Sequence, residues 1–278
     1  MGAYLRPDRI DDALAALTER SWTLLAGGTD VYPARVGRYI DDDVLDVTAL
    51  PELRTISVVD GVVRIPALAT WTDVVRVELP PAFDGLKAAA RAIGGVQIQN
   101  RGTVVGNLCN ASPAADGLRN LMALDARVEL RSAGGAREVP VGEFVVGNRR
   151  TIRRPDELVT AVLVPLPGVA ARSTFLKLGS RAYLVISIAM VAVVVELDDD
   201  ARVSAARIVV GACSEVPQRI VAAEARLVGQ LAEPALAAEI VAADLAGLAP
   251  IDDVRGTAAY RQAAALTLVR RAVAEVLA

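Results

Sequence analysis

Pro165-Leu166-Pro167-Gly168 breaks the chain directly after a strand-like run, Leu158 to Val164. Each proline removes a backbone donor and fixes φ, and a glycine follows, so neither a helix nor a paired strand is expected to continue through this stretch. The chain has 278 residues, more than the roughly 100–200 that one hydrophobic core usually serves. Two domains are therefore expected, 1–168 and 169–278.

Within the first domain the pattern changes near residue 55. Ile10, Ala13, Leu14 and Leu17 repeat at helical spacing, and Trp22 to Ala26 and Val44 to Val47 read as short strands around Pro33, a further helix start. Beyond that point Ile56 to Val59 and Val62 to Ile65 flank Asp60-Gly61, a two-residue loop suited to a type I′ hairpin. Subdomains of about 1–55 and 56–168 are expected. Helices are expected at 86–93, ended by Gly94-Gly95, and at 113–124, with strands at 127–131 and 158–164. Segment 97–110 reads as a polar loop. In the second domain 186–197 and 202–212 read as an antiparallel pair, and the Ala-rich remainder as helices near 219–231, 234–246 and 257–277. The fold class is α+β, a mixed α/β arrangement with an antiparallel sheet and helices in the C-terminal domain.

Composition narrows the chemistry. There is no histidine and there are two cysteines, Cys109 and Cys213. The commonest general base is missing, and neither an iron–sulfur cluster nor a structural zinc site can be completed from these residues alone. Any redox chemistry falls to an organic cofactor. With 30 Lys+Arg against 33 Asp+Glu and 4% aromatics, nothing suggests a phosphate-neutralising or base-stacking surface, so no nucleic acid is expected. The longest apolar stretch, Leu184 to Val195, is shorter than the roughly 20 residues that span a bilayer. The first residues lack a basic segment leading into an apolar one, and a cytoplasmic location with reduced thiols is expected.

Two segments carry candidate chemistry. Leu24-Leu25-Ala26-Gly27-Gly28-Thr29-Asp30-Val31 is a strand that delivers two glycines and a Thr-Asp pair at its end. Without Cβ atoms the backbone can turn at positive φ and direct N–H groups at an anion, although an ordinary strand-to-helix turn has the same composition. The second runs from Gln97 to Asp116 and concentrates amides and hydroxyls ahead of a Pro-initiated helix. Asp116 falls in that helix's first turn, where it suits the helix dipole and can also accept hydroxyl protons. The Rossmann fingerprint is absent. Cys109 reads as a small apolar residue.

The segments LLAGGTD at 24–30 and NRGTVVGNLCNASPAAD at 100–116 closely resemble the two diphosphate-binding loops of the FAD-binding medium subunit of the molybdenum hydroxylases, a family that includes the xanthine and carbon monoxide dehydrogenases. FLKLGSR at 175–181, residues 224–229, DVRGTAAYR at 253–261 and Arg270-Arg271-Ala272 extend the likeness over nearly the whole chain. The resemblance implies a two-subdomain FAD-binding domain followed by a smaller C-terminal domain. It implies FAD held by Leu25, Ala26, Gly27, Gly28, Thr29, Asp30 and Val31 and by Thr103, Val104, Val105, Gly106 and Asn107. By the same resemblance Asp116 would meet ribityl or adenosine hydroxyls, Lys177 the flavin part, Ile93 the isoalloxazine ring, and Leu158 or Val159 a further part of FAD. It implies no catalytic residue and no metal ligand on this chain.

The function implied by this resemblance is that of an electron-transfer subunit. A large subunit with the molybdenum cofactor would oxidise the substrate, a small subunit with iron–sulfur clusters would relay electrons, and FAD would pass them to an external acceptor, in a dimer of heterotrimers. Two alternatives stand beside it: a self-contained FAD oxidoreductase of the same fold superfamily, and a scaffold subunit that has lost FAD. One departure bears on the last, because Val105 stands where the family has a glycine. A valine there is strained if the position needs positive φ.

Overall fold

The computed structural model describes residues 2–278 apart from 38, 40, 169 and 183. β1 (Tyr4–Leu5), α1 (Ile10–Glu19), β2 (Thr23–Leu25) and β3 (Val44–Asp46) form the first unit, a parallel sheet in the order β1-β3-β2. Its helix buries Ala13, Leu14, Ala16 and Leu17, the face drawn by the apolar spacing. Pro33–Arg35 forms only a 3-10 turn.

The second unit begins with β4 (Ser57–Val59) and β5 (Val62–Pro66). Asp60 and Gly61 between them have φ of 51° and 75°, the paired positive values of a type I′ hairpin turn. Five helices come next: α2 (Trp71–Arg76), α3 (Asp84–Ala92), α4 (Val96–Gln99), α5 (Val104–Asn110) and α6 (Asp116–Ala123). After β6 (Arg127–Ser132), β7 (Gly135–Pro140), α7 (Val141–Phe144), β8 (Val145–Gly147) and β9 (Arg150–Thr151), the chain returns through β10 (Leu158–Pro165). The resulting antiparallel sheet has the order β4-β5-β10-β6-β7.

The expected polar loop over 97–110 is largely helical. Thr103 caps α5, its Oγ1 accepting from the Gly106 N–H at 2.9 Å, and Val104, Val105 and Leu108 are buried beneath it. The cap and this apolar face hold a helix that Val, Asn and Cys do not favour by propensity.

The C-terminal unit is an antiparallel sheet of β11 (Arg172–Leu178), β12 (Ala189–Leu197), β13 (Val203–Gly211) and β14 (Gln218–Arg219), with α8 (Val221–Leu227) and α9 (Ala258–Val276). The helix expected at 234–246 is instead two 3-10 turns, Pro234–Glu239 and Ala242–Leu245. Alternation along β12 joins the two halves of the molecule. Met190, Ala192 and Val194 enter the core built from the first 168 residues, whereas Ala189, Val191, Val193 and Val195 enter a second core with α9. A strand covered on both faces reads as one continuous apolar run, which is why this stretch is the most hydrophobic in the chain. Among the described residues no helix is long and apolar enough to cross a membrane.

Candidate functional site

The two glycine loops meet backbone to backbone. β2 ends at Leu25, and Gly28 turns the chain at φ 72°. A Cβ on Gly27 would lie 1.9 Å from the Arg101 carbonyl oxygen, so glycine there lets residues 26–29 close on residues 101–103. The second loop is tied in turn to the segment that links β5 to α2: the Trp71 N–H donates to the Gly102 carbonyl at 3.2 Å, and the Val104 N–H to the Ala69 carbonyl at 3.1 Å.

This junction leaves polar groups without partners. The backbone N–H groups of Gly27, Gly28, Thr29 and Val105 find no acceptor among the described residues, and the buried Asn107 Oδ1 has no donor. Clustered unpaired N–H groups at a turn and at a helix N-terminus favour an anion. They border a cavity that runs past both loops. Its lining includes Leu24, the buried Val47, Ala67, Leu158 and Val159, the half-buried Ile93 and the exposed Ile98. Arg149, itself outside the lining, donates to two lining residues, to Asp30 Oδ2 at 3.0 Å and to Asn110 Oδ1 at 2.8 Å.

Of the residues singled out from sequence, Ala26 to Val31, Ile93, Thr103, Val105, Gly106, Asn107 and Val159 line this cavity. Leu25 and Val104 are not in its lining; both side chains are buried in the core. Val105 sits in the first turn of α5 with no positive φ. The strain considered for a valine at this position is therefore absent.

Asp116 and Lys177 also stand outside the lining, and they meet each other. Lys177 Nζ donates to Asp116 Oδ2 at 2.7 Å and Ser187 Oγ to Oδ1 at 3.1 Å, at the seam between α6 and the C-terminal sheet. Burial pushes the Asp116 carboxyl above its ordinary range, against the opposing charge and hydrogen bond of Lys177. Sequence reasoning missed Arg153, which lines the cavity beside Cys109 and Leu158; no motif surrounds it. Burial pushes the Cys109 thiol up to about 12, so it stays protonated and inert near neutral pH.

An α+β fold with a long cavity bordered by two backbone anion cradles defines a protein that binds a dinucleotide without the Rossmann turn. Residues 1–167 match the family described as the FAD binding domain in molybdopterin dehydrogenase, and residues 174–276 that described as the CO dehydrogenase flavoprotein C-terminal domain. Similar proteins include the nicotine 6-hydroxylase medium subunit of Paenarthrobacter nicotinovorans, 31% identical over 98% of this chain and 96% of that one. The nicotinate dehydrogenase FAD-subunit of Eubacterium barkeri is 34% identical over 74% of this chain and 71% of its own. Among solved structures, a chain of the reconstituted CO dehydrogenase from Oligotropha carboxidovorans superposes with a TM-score of 0.91 at 27% identity, covering 100% of this chain and 98% of that one. The chain belongs to this family, the FAD-binding medium subunits of the molybdenum hydroxylases. The residues fit the cofactor: the unpaired N–H groups suit a diphosphate, Asn107 Oδ1 suits a hydroxyl donor, and the glycine cradle is one that a Cβ would obstruct.

Proposed function

We propose that this chain holds FAD noncovalently and serves as the electron-transfer subunit of a molybdenum-containing dehydrogenase. The observation that carries the reading is the row of unpaired N–H groups on Gly27, Gly28, Thr29 and Val105 around one cavity. Ala26 to Val31 and Thr103 to Asn107 clasp the diphosphate, Val159 packs against a further part of the cofactor, and Ile93 stands beside the isoalloxazine. Asp116 and Lys177, paired at the seam, meet the cofactor's hydroxyls and its flavin part. Bound FAD supplies the redox step, and the chain supplies binding, orientation and exclusion of water. Leu25 and Val104 support the two loops from the core side.

The domains divide near 168, the first holding FAD and the second closing against it through β12. The partners are an iron–sulfur small subunit and a molybdenum-cofactor large subunit in the cytoplasm, assembled as a dimer of heterotrimers. Support comes from similar proteins described as medium chains of CO dehydrogenases. The chain is to be expressed alone and with its neighbouring subunits, and flavin bleaching monitored after addition of candidate substrates. Bleaching only in the complex is expected. Equal rates in the isolated chain would replace this reading with a self-contained flavoenzyme.

A further inference from the structure

The structure assigns to Trp71 and Asn107 a shared task, recognition of one hydroxyl of the cofactor, an inference that rests on the FAD reading of the cavity above. Trp71 opens α2 and is only 1% exposed, yet it lines the cavity. Two contacts fix its backbone. The Thr70 capping box starts the helix, and the Trp71 N–H donates to the Gly102 carbonyl at 3.2 Å. From there the indole reaches across to α6. A Cβ on Gly102 would lie 3.6 Å from Cδ1, whereas one on Gly117 would lie 2.9 Å from Cζ2 and closer still to Cη2. Only glycine at 117 leaves room for the ring, whose edge from Cδ1 through Nε1 to Cη2 therefore spans from the second glycine loop to the first turn of α6.

Two polar atoms along this edge lack partners. The other tryptophan, Trp22, donates its Nε1–H to the Ala16 carbonyl at 2.9 Å, as a buried indole ordinarily does. The Trp71 Nε1 finds no acceptor among the described residues, and packing does not close it off. Asn107 Oδ1, which has no donor, lies 3.2 Å from the same Gly117 Cβ position that the indole crowds. An unmet donor and an unmet acceptor thus flank one spot in the lining, each costly to leave bare. Their combination selects the ligand group. A phosphate oxygen only accepts and would meet the Asn107 oxygen unfavourably, whereas a hydroxyl accepts from the indole and donates to the amide. FAD carries hydroxyls on its ribityl chain and on its ribose, on either side of the diphosphate. Asn107 directly follows Val105 and Gly106 in the first turns of α5, so the hydroxyl it meets is one close to the phosphates.

The test titrates the flavin-free protein, purified with its partners, with FAD and with each FAD analogue that lacks one ribityl or one ribose hydroxyl. Wild type is compared with Asn107→Ala, Trp71→Phe and a protein carrying benzothienylalanine at position 71. The last keeps both fused rings and replaces only the N–H by sulfur, which separates the hydrogen bond from packing against Gly117. With FAD, each change is expected to weaken binding about two- to tenfold, the range for one neutral hydrogen bond. With one analogue, the same for both positions, the losses in Asn107→Ala and in the benzothienylalanine protein should vanish, because the group they serve is gone. The identity of that analogue tells ribityl from ribose. Wild-type FAD affinity in the benzothienylalanine protein would overturn the assignment. So would a loss that persists with every analogue, which would put the indole on a phosphate, or losses at 71 and 107 that vanish with different analogues. Wild-type protein that binds neither FAD nor any analogue would defeat the FAD reading itself, and this inference with it.

Discussion

Gly27→Ala is the smallest change that probes the junction of the two loops. The added Cβ would fall 1.9 Å from the Arg101 carbonyl oxygen, 2.8 Å from its carbon and 3.1 Å from Gly102 Cα, all backbone atoms. Carbon–oxygen contacts settle near 3.3–3.6 Å, so residues 101–102 must retreat by at least about 1.4 Å. They cannot do so alone. Gly102 accepts from the Trp71 N–H, and Thr103 both caps α5 and adjoins Val104, which bonds to Ala69. A forced backbone shift of this kind costs about 1–3 kcal/mol. If that cost falls on the arrangement that binds FAD, affinity drops roughly 5- to 150-fold. Titration of the flavin-free protein with FAD, monitored by quenching of flavin fluorescence, reads this directly, and a thermal melt reads the effect on the fold. Wild-type affinity and wild-type melting in Gly27→Ala would refute the backbone contact between the loops.

Restoring glycine at Val105 should not improve cofactor binding, because Val105 is a buried first-turn residue of α5. Loss of its side chain should lower stability by about 2 kcal/mol; tighter FAD binding with an unchanged denaturation midpoint would contradict this. Asp253 accepts from the Arg255 N–H at 2.8 Å and from Arg261 Nη2 at 2.6 Å, and its carboxyl is held down to about 2, chiefly by the Arg255 backbone bond and then by the two arginine side chains. Its folded value lies below the unfolded one of about 3.9. Its contribution is thus complete above about pH 4 and is lost as pH falls through about 2. Urea unfolding across that window should show a shallower pH dependence in Asp253→Asn than in wild type, and identical slopes would remove Asp253 from the acid response.

The parts of the fold written in short-range pattern were legible. The apolar spacing over 10–17 and the Asp60-Gly61 turn each specify an element within a few residues, and both elements are there. Where tertiary packing decides, local reading failed. Val104 to Asn110 has poor helix formers and reads as loop, yet the Thr103 cap and three buried apolar side chains make it α5. Residues 234–246 show the reverse: many alanines favour a helix, but the segment closes as two 3-10 turns, the second fixed by Asp244 accepting from the Val241 N–H at 2.8 Å. At the site, the glycine loops announced themselves as segments. That a Cβ at Gly27 would strike the second loop, and that Asp116 pairs with Lys177 61 residues away, are long-range facts that no local motif encodes. Arg153 carries no signal at all, since one arginine among the 30 basic residues gains meaning only from the cavity it faces.

On this reading the two loops and the cavity they border hold FAD. The direct measurement is the identity and amount of cofactor released by acid or heat from the protein purified with its partners, with absorbance recorded before and after. Wild type is expected to carry stoichiometric FAD, fully released and therefore noncovalent, and Gly27→Ala prepared in parallel to show a marked loss. A metal-replete complex with no flavin absorbance, or flavin that stays with the polypeptide after denaturation, would contradict it.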